Sequence, residues 1–148
     1  MAQDASDPAL RRFLATLGGR AAMDRLPRTR LALHGAIAKG LRPAALSALV
    51  RHGVLRRSEL TMLMPARTLA RRKKGARLTP EESDRLARTT RVVLRAREVF
   101  GDPAKADAWL RRPNRALAGA MPLMLTRHDE GARLVESALN RIAYGDHT

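Results

Sequence analysis

The chain has 148 residues, enough for one domain with a proper core or for two small helical ones sharing an interface. Lys and Arg number 29 against 14 Asp and Glu, and the resulting formal charge of +15 favours a polyanionic partner, most simply nucleic acid. There is no cysteine, which excludes disulfides and thiolate metal sites; no apolar run approaches the ~20 residues that span a bilayer, and no signal peptide is visible, so a cytoplasmic protein is expected.

In chain order, the first six residues are expected to fray. Asp7-Pro8 then reads as a helix N-cap followed by proline at the first helical position. Leu10, Phe13, Leu14 and Leu17 follow at i, i+3, i+4 and i+7, an apolar stripe that must pack on something, a second copy of the chain being one choice. Gly18-Gly19 ends this helix, and residues 20–28 read as a linker broken by Pro27. A helix is expected over 29–39, closed by Gly40, and another from Pro43 to Gly53 with Leu46, Leu49 and Val50 on one face. Ser58 with Glu59 opens a third, and 65–74 forms a fourth that Gly75 stops. Nothing between Thr29 and Gly75 alternates with the two-residue period of a strand, so this is a compact all-α unit.

Positive charge concentrates in this middle stretch. Residues 41–77 hold ten Lys or Arg and one Glu, whereas 101–148 hold seven basic and six acidic side chains. The fourth helix is the densest part: Leu69 is its buried candidate, and Arg67, Thr68, Arg71, Arg72, Lys73 and Lys74 spread over the rest. A short helix after a turn, with polar and basic residues early in it, suits the second helix of a helix-turn-helix entering a major groove. Arginine suits bidentate contact with guanine, whereas lysine meets phosphate mostly as a point charge. The bland alternative is a solvated basic face.

Thr79, Pro80 and Glu82 form a capping box, worth on the order of 1 kcal/mol for the Thr79 side chain. The helix they start runs to about Phe100, with Leu86, Val93, Leu94, Val99 and Phe100 as buried candidates; at ~30 Å it could join two subdomains. Gly101-Asp102-Pro103 restarts a helix that reaches Arg112 and presents Trp109, whose lone indole among helical leucines reads as a core anchor. A small apolar loop over 114–120 and one turn at 122–125 come next. Thr126 with Asp129 reads as a second capping box, opening a last helix to Tyr144 with Gly131, Val135, Ala138, Leu139 and Ile142 on one stripe.

No constellation for catalysis is visible. His34, His52, His128 and His147 sit in four separate segments without metal-ligand spacing, and Glu81 and Glu82 face different ways on a helix. No nucleotide-binding glycine loop is present, so neither an enzyme nor a cofactor or metal is expected.

The ordered series W-L-x-x-P-N-x-A-L from Trp109, P-L at Pro122, and G-x-x-x-V-x-x-x-L-x-x-I-x-x-G from Gly131 to Gly145 closely resembles the C-terminal toxin-binding domain of Xre/MbcA/ParS antitoxins. Upstream, Arg67-Thr68-Leu69 and the run L-T-P-E-E-S-D-R-L at 78–86 resemble the Xre-like helix-turn-helix domain of the same antitoxins. Met64-Pro65-Ala66 departs from that pattern at the turn, and the basic run at 71–74 is unusually dense, so which residues touch bases stays open.

The resemblance implies an N-terminal extension with one helix over 1–27, a helix-turn-helix domain over 28–88, and a toxin-binding domain over 89–148. It further implies an antitoxin that masks the NAD-using cleft of a RES-domain toxin through Asn114, Arg115, Leu117, Arg133, Arg141, Tyr144 and His147. Operator binding and autorepression would accompany this, as a homodimer inside a hetero-oligomeric complex, since one short helix reads few bases alone. Truncation of residues 1–19 would test whether the first helix supports self-association. The competing reading is a general nucleic-acid-binding protein or transcriptional regulator without a toxin partner; the near-neutral C-terminal third argues against it. A membrane-surface role is weaker, because no wide bulky apolar face opposes the basic residues.

Overall fold

The computed structural model describes residues 7–145. The expected fraying of residues 1–6, and the placement of His147 in a binding tail, lie outside the described residues. Among the described residues the chain is all-α, with eight α-helices, three short 3-10 helices and no strand. It divides into two compact units, Met1–Thr90 and Arg91–Thr148, the boundary falling inside the longest helix.

The first unit begins with α1, Pro8–Thr16, where the Asp7 carboxylate accepts hydrogen bonds from the Ala9 and Leu10 N–H groups at 3.0 and 3.3 Å. Its stripe of Leu10, Phe13, Leu14 and Leu17 is buried by the chain itself, so a second copy is not needed to cover it. The expected linker is packed in part. A 3-10 helix spans Gly19–Ala21, Ala22 and Met23 are buried, and the Ala22 carbonyl accepts the Arg42 N–H at 2.8 Å.

Next comes α2, Arg30–Lys39, capped by the Thr29 hydroxyl and closed by Gly40 at φ +99°. A Cβ at Gly40 would overlap the Leu78 carbonyl, so that glycine is required both for its backbone angle and for close chain approach. α3 covers Ala44–Arg51. Where the sequence predicts an α-helix from Ser58, a 3-10 helix spans Arg57–Met62, its first turn held by the Arg56 N–H donating to the Glu59 carboxylate at 2.7 Å. α4 then runs Ala66–Lys73 and α5 runs Pro80–Phe100.

In the second unit, α6 is Pro103–Leu110, two residues shorter than the Pro113 breaker alone indicates. The apolar loop contains a 3-10 helix, Arg115–Leu117, followed by α7, Pro122–Leu125, and α8, Asp129–Ala143. Val92, Val93, Leu110, Leu123, Val135 and Leu139 form the core of this unit, all fully buried. Leu94, Val99 and Phe100 are only half-buried, contrary to expectation. Ile142 is exposed because the last turn of α8 runs past what covers Val135 and Leu139.

The second capping box is not formed as expected. α8 begins at Asp129 with His128 in the N-cap position and no side-chain cap, and the buried Thr126 hydroxyl instead donates to the Leu123 carbonyl at 2.7 Å. Thr126 therefore closes the end of α7 rather than opening α8.

Candidate nucleic-acid and partner-binding surfaces

The candidate DNA-binding surface is built from α4 and the elements that hold it. Leu69 buries the inner face of α4. Near its C-terminal end, Arg72 donates from Nε and Nη2 to the two Glu82 carboxylate oxygens at 2.9 and 3.2 Å. Both side chains are largely covered, at 14% and 11% exposure, so this bidentate pair is sheltered from solvent. Glu82 also completes the expected capping box, accepting the Thr79 N–H at 2.8 Å while its own N–H donates to the Thr79 hydroxyl at 3.1 Å. Burial pushes the Glu82 carboxyl up, but the Arg72 guanidinium and the Thr79 N–H outweigh it and hold it below the usual carboxylate range.

Ser83, Asp84 and Arg85 of the E-E-S-D-R-L run are engaged as well. The buried Ser83 hydroxyl accepts the Leu41 N–H at 2.8 Å, the Arg85 guanidinium bonds the Leu63 carbonyl, and Asp84 pairs with Arg88 at 2.6 Å. This stretch thereby staples the start of α5 to the α2–α3 connection, to the 3-10 helix and to α4.

A second clasp centres on Asp24. Its carboxylate meets Lys39 and Arg42 at 2.5 Å each and Arg77 at 3.0 Å, while Arg77 also donates to the Gly40 carbonyl at 2.8 Å. Hydrogen bonding to Lys39 and then to Arg77 holds the Asp24 carboxyl far below the usual carboxylate range. Sequence inspection missed this clasp, since its partners lie up to 53 residues apart. Arg42, Arg72 and Arg77 are thus engaged internally. Arg67, Arg71 and Lys73 remain exposed on α4, as does Lys74 just past its end, with Thr68 half-buried.

In the second unit, the P-N-x-A-L motif is a loop organiser. Asn114 accepts the Ala116 N–H through Oδ1 at 2.9 Å, its carbonyl receives Leu117 and Gly119, and its N–H reaches the Ala120 carbonyl at 3.0 Å. Leu117 is buried and anchors the loop; Arg115 stays exposed. Trp109 is half-buried rather than fully enclosed and packs on Phe100 with ring centroids 5.7 Å apart.

Three of the candidate residues lie on α8 or just past its end. Arg133 and Arg141 lie on its outer face, and Tyr144 follows the last turn on the same side. Leu134, next to Arg133 in the chain, is 54% exposed and was missed as a candidate because it lies off the core stripe; Tyr144 is 81% exposed. Arg133 is held along the helix by Asp129 at 2.9 Å. Among the described residues, no group of three or more His, Asp or Glu side chains could hold a metal, and no helix is long and apolar enough to cross a membrane.

The family described as the Xre-like helix-turn-helix domain of antitoxins matches residues 32–91, and the Xre/MbcA/ParS C-terminal toxin-binding domain matches 95–145. The chain is similar to a protein named Antitoxin Xre from Pseudomonas putida, 35% identical over 114 residues that cover 76% of this chain and 72% of the relative. Proteins of the same name from Yersinia enterocolitica and Photorhabdus laumondii are 38% and 37% identical over 84 and 81 residues. Those matches cover 55% and 53% of this chain, and 57% and 55% of the respective relatives. With both domains matched in order and that identity over three quarters of its length, the chain belongs to the Xre antitoxin family.

Proposed function

We propose that this protein neutralises a RES-domain toxin by covering the toxin's NAD-using cleft, and that it represses its own operon by binding operator DNA. The observation that carries the first part is the exposed side of α8 and its C-terminal end, where Leu134, Arg133, Arg141 and Tyr144 offer exposed apolar, cationic and aromatic side chains. Arginine and tyrosine are residue types enriched at protein interfaces. Asn114 and Leu117 shape the adjoining loop, and Arg115 supplies its charge. Masking requires no catalytic group on this chain, and the function is binding.

In the DNA-binding part, Arg67, Thr68, Arg71, Lys73 and Lys74 meet the duplex, and Arg72 fixes the pose of α4 through Glu82. A homodimer within the toxin complex supplies a second reading helix. Its interface lies elsewhere than the buried stripe of α1; Leu31 on α2, 80% exposed, is the apolar side chain most available for it.

Co-purification with the product of the adjacent reading frame tests the antitoxin role. The full chain is expected to hold that partner, and Leu134→Asp to lose it without a change in thermal melting. Retention by Leu134→Asp would remove the α8 face from the proposal. A general nucleic-acid-binding role draws support from the +15 charge. It predicts no preference for the operator over random DNA as salt rises, whereas the operator reading predicts that a preference persists.

A further inference from the structure

The end of α6 carries a groove that the α8 face does not explain. Its volume is about 470 Å³, with Phe100 and Trp109 in its wall, Pro113 beside them, and Lys105, Arg112 and Arg115 around it. No Asp or Glu lines it among the described residues. Lys105, Arg112 and Arg115 are all exposed, while Trp109 is only half-buried, leaving part of the indole facing open space. The size is that of a site for a few side chains.

We propose that this groove docks an acidic segment of the toxin partner, with one apolar side chain of that segment seated against Trp109 and Phe100. Charge complementarity identifies the occupant: three cations with no internal carboxylate favour an anionic partner, within a stretch, residues 101–148, whose overall charge is close to balanced. The aromatic wall supplies the desolvated anchor point, and tryptophan and arginine are the residue types that dominate interface energetics. Arg115 belongs both to this groove and to the 114–120 loop, whose 3-10 helix contacts α8, and it is one of the residues of the proposed toxin contact. The inference rests on the antitoxin reading and adds to it the chemistry of the partner's complementary surface.

Because the chain has one tryptophan, 5-fluorotryptophan labelling gives a single fluorine resonance that reports on Trp109. The full labelled chain would be titrated with the unlabelled product of the adjacent reading frame and, separately, with ATP. The expected result is a shift of that resonance on adding the partner. Affinity should fall at least about tenfold in Lys105→Glu/Arg112→Glu, by an amount that shrinks as salt rises. Both substituted side chains are exposed, and an unchanged thermal melt of the variant confirms that the fold is intact. If the partner binds wild type and variant equally and the resonance stays in place, the groove inference is overturned while the antitoxin reading stands. A shift with ATP but not with the partner overturns it in favour of a nucleotide site. Failure of wild type to bind the partner at all overturns both.

Discussion

Two residues show how much of this fold rests on single atoms. Gly131 is the third residue of α8, and a Cβ there would overlap the Leu125 backbone carbonyl, which cannot move like a side-chain tip. Gly131→Ala should therefore lower the stability of the C-terminal unit by about 1–3 kcal/mol, despite alanine's better helix propensity. Thermal melting by circular dichroism checks this, and an unchanged or raised midpoint would contradict it. Glu82 joins α4 to α5, and Glu82→Gln should cost on the order of 1–2 kcal/mol through loss of the charged pair with Arg72. The pH dependence has a definite sign. The folded-state pKa of Glu82 is depressed, so its contribution is complete above the ordinary carboxylate value near pH 4.5 and is lost as pH falls through the lower folded value. Asp24 acts in the same direction. Acid titration of wild type should thus show a loss of stability below about pH 4.5 that is smaller in Glu82→Gln.

At the scale of elements, the helices were legible where local chemistry alone decides. Asp7-Pro8, Thr29, Thr79-Pro80 and Asp102-Pro103 mark the starts of α1, α2, α5 and α6, and each side-chain cap is observed. What escaped the sequence depends on contacts distant in the chain or on how far a neighbour extends. Thr126 has the residue pattern of an N-cap, yet α8 starts at Asp129 with His128 in the cap position, and the Thr126 hydroxyl donates to the Leu123 carbonyl. Ile142 has the right period for the core but lies beyond its edge. Arg72 looks like one more cation in a basic run until Glu82, ten residues later, is placed against it. The candidate residues divide accordingly: Arg67, Arg71, Lys73 and Lys74 stay on the surface, whereas Arg72, Asn114 and Leu117 build the scaffold.

That division predicts different outcomes on DNA. Arg67→Ala should weaken operator binding by about 1–3 kcal/mol if it contacts a base, and Lys74→Ala should reduce the salt slope by about 1 as a lost phosphate contact. Arg72→Ala should lower the melting temperature of the first unit while leaving that slope nearly unchanged. Fluorescence anisotropy across a salt series separates the three; a slope that falls with Arg72→Ala would place its guanidinium on DNA instead.

For the whole molecule, the two units carry different kinds of surface. Residues 41–77 hold ten of the 29 basic side chains with a single acidic one, while 101–148 is close to neutral. A polyanion is the natural partner of the first, and a protein surface of the second. Family membership establishes the antitoxin class, and the proposal adds the mode of neutralisation. Its most direct test is an NAD-consumption assay of the product of the adjacent reading frame, with increasing amounts of this chain. The account predicts that the partner alone consumes NAD, that the full chain reduces consumption to background, and that Leu134→Asp does not. NAD consumption that continues while the chain is demonstrably bound would contradict the masking mechanism.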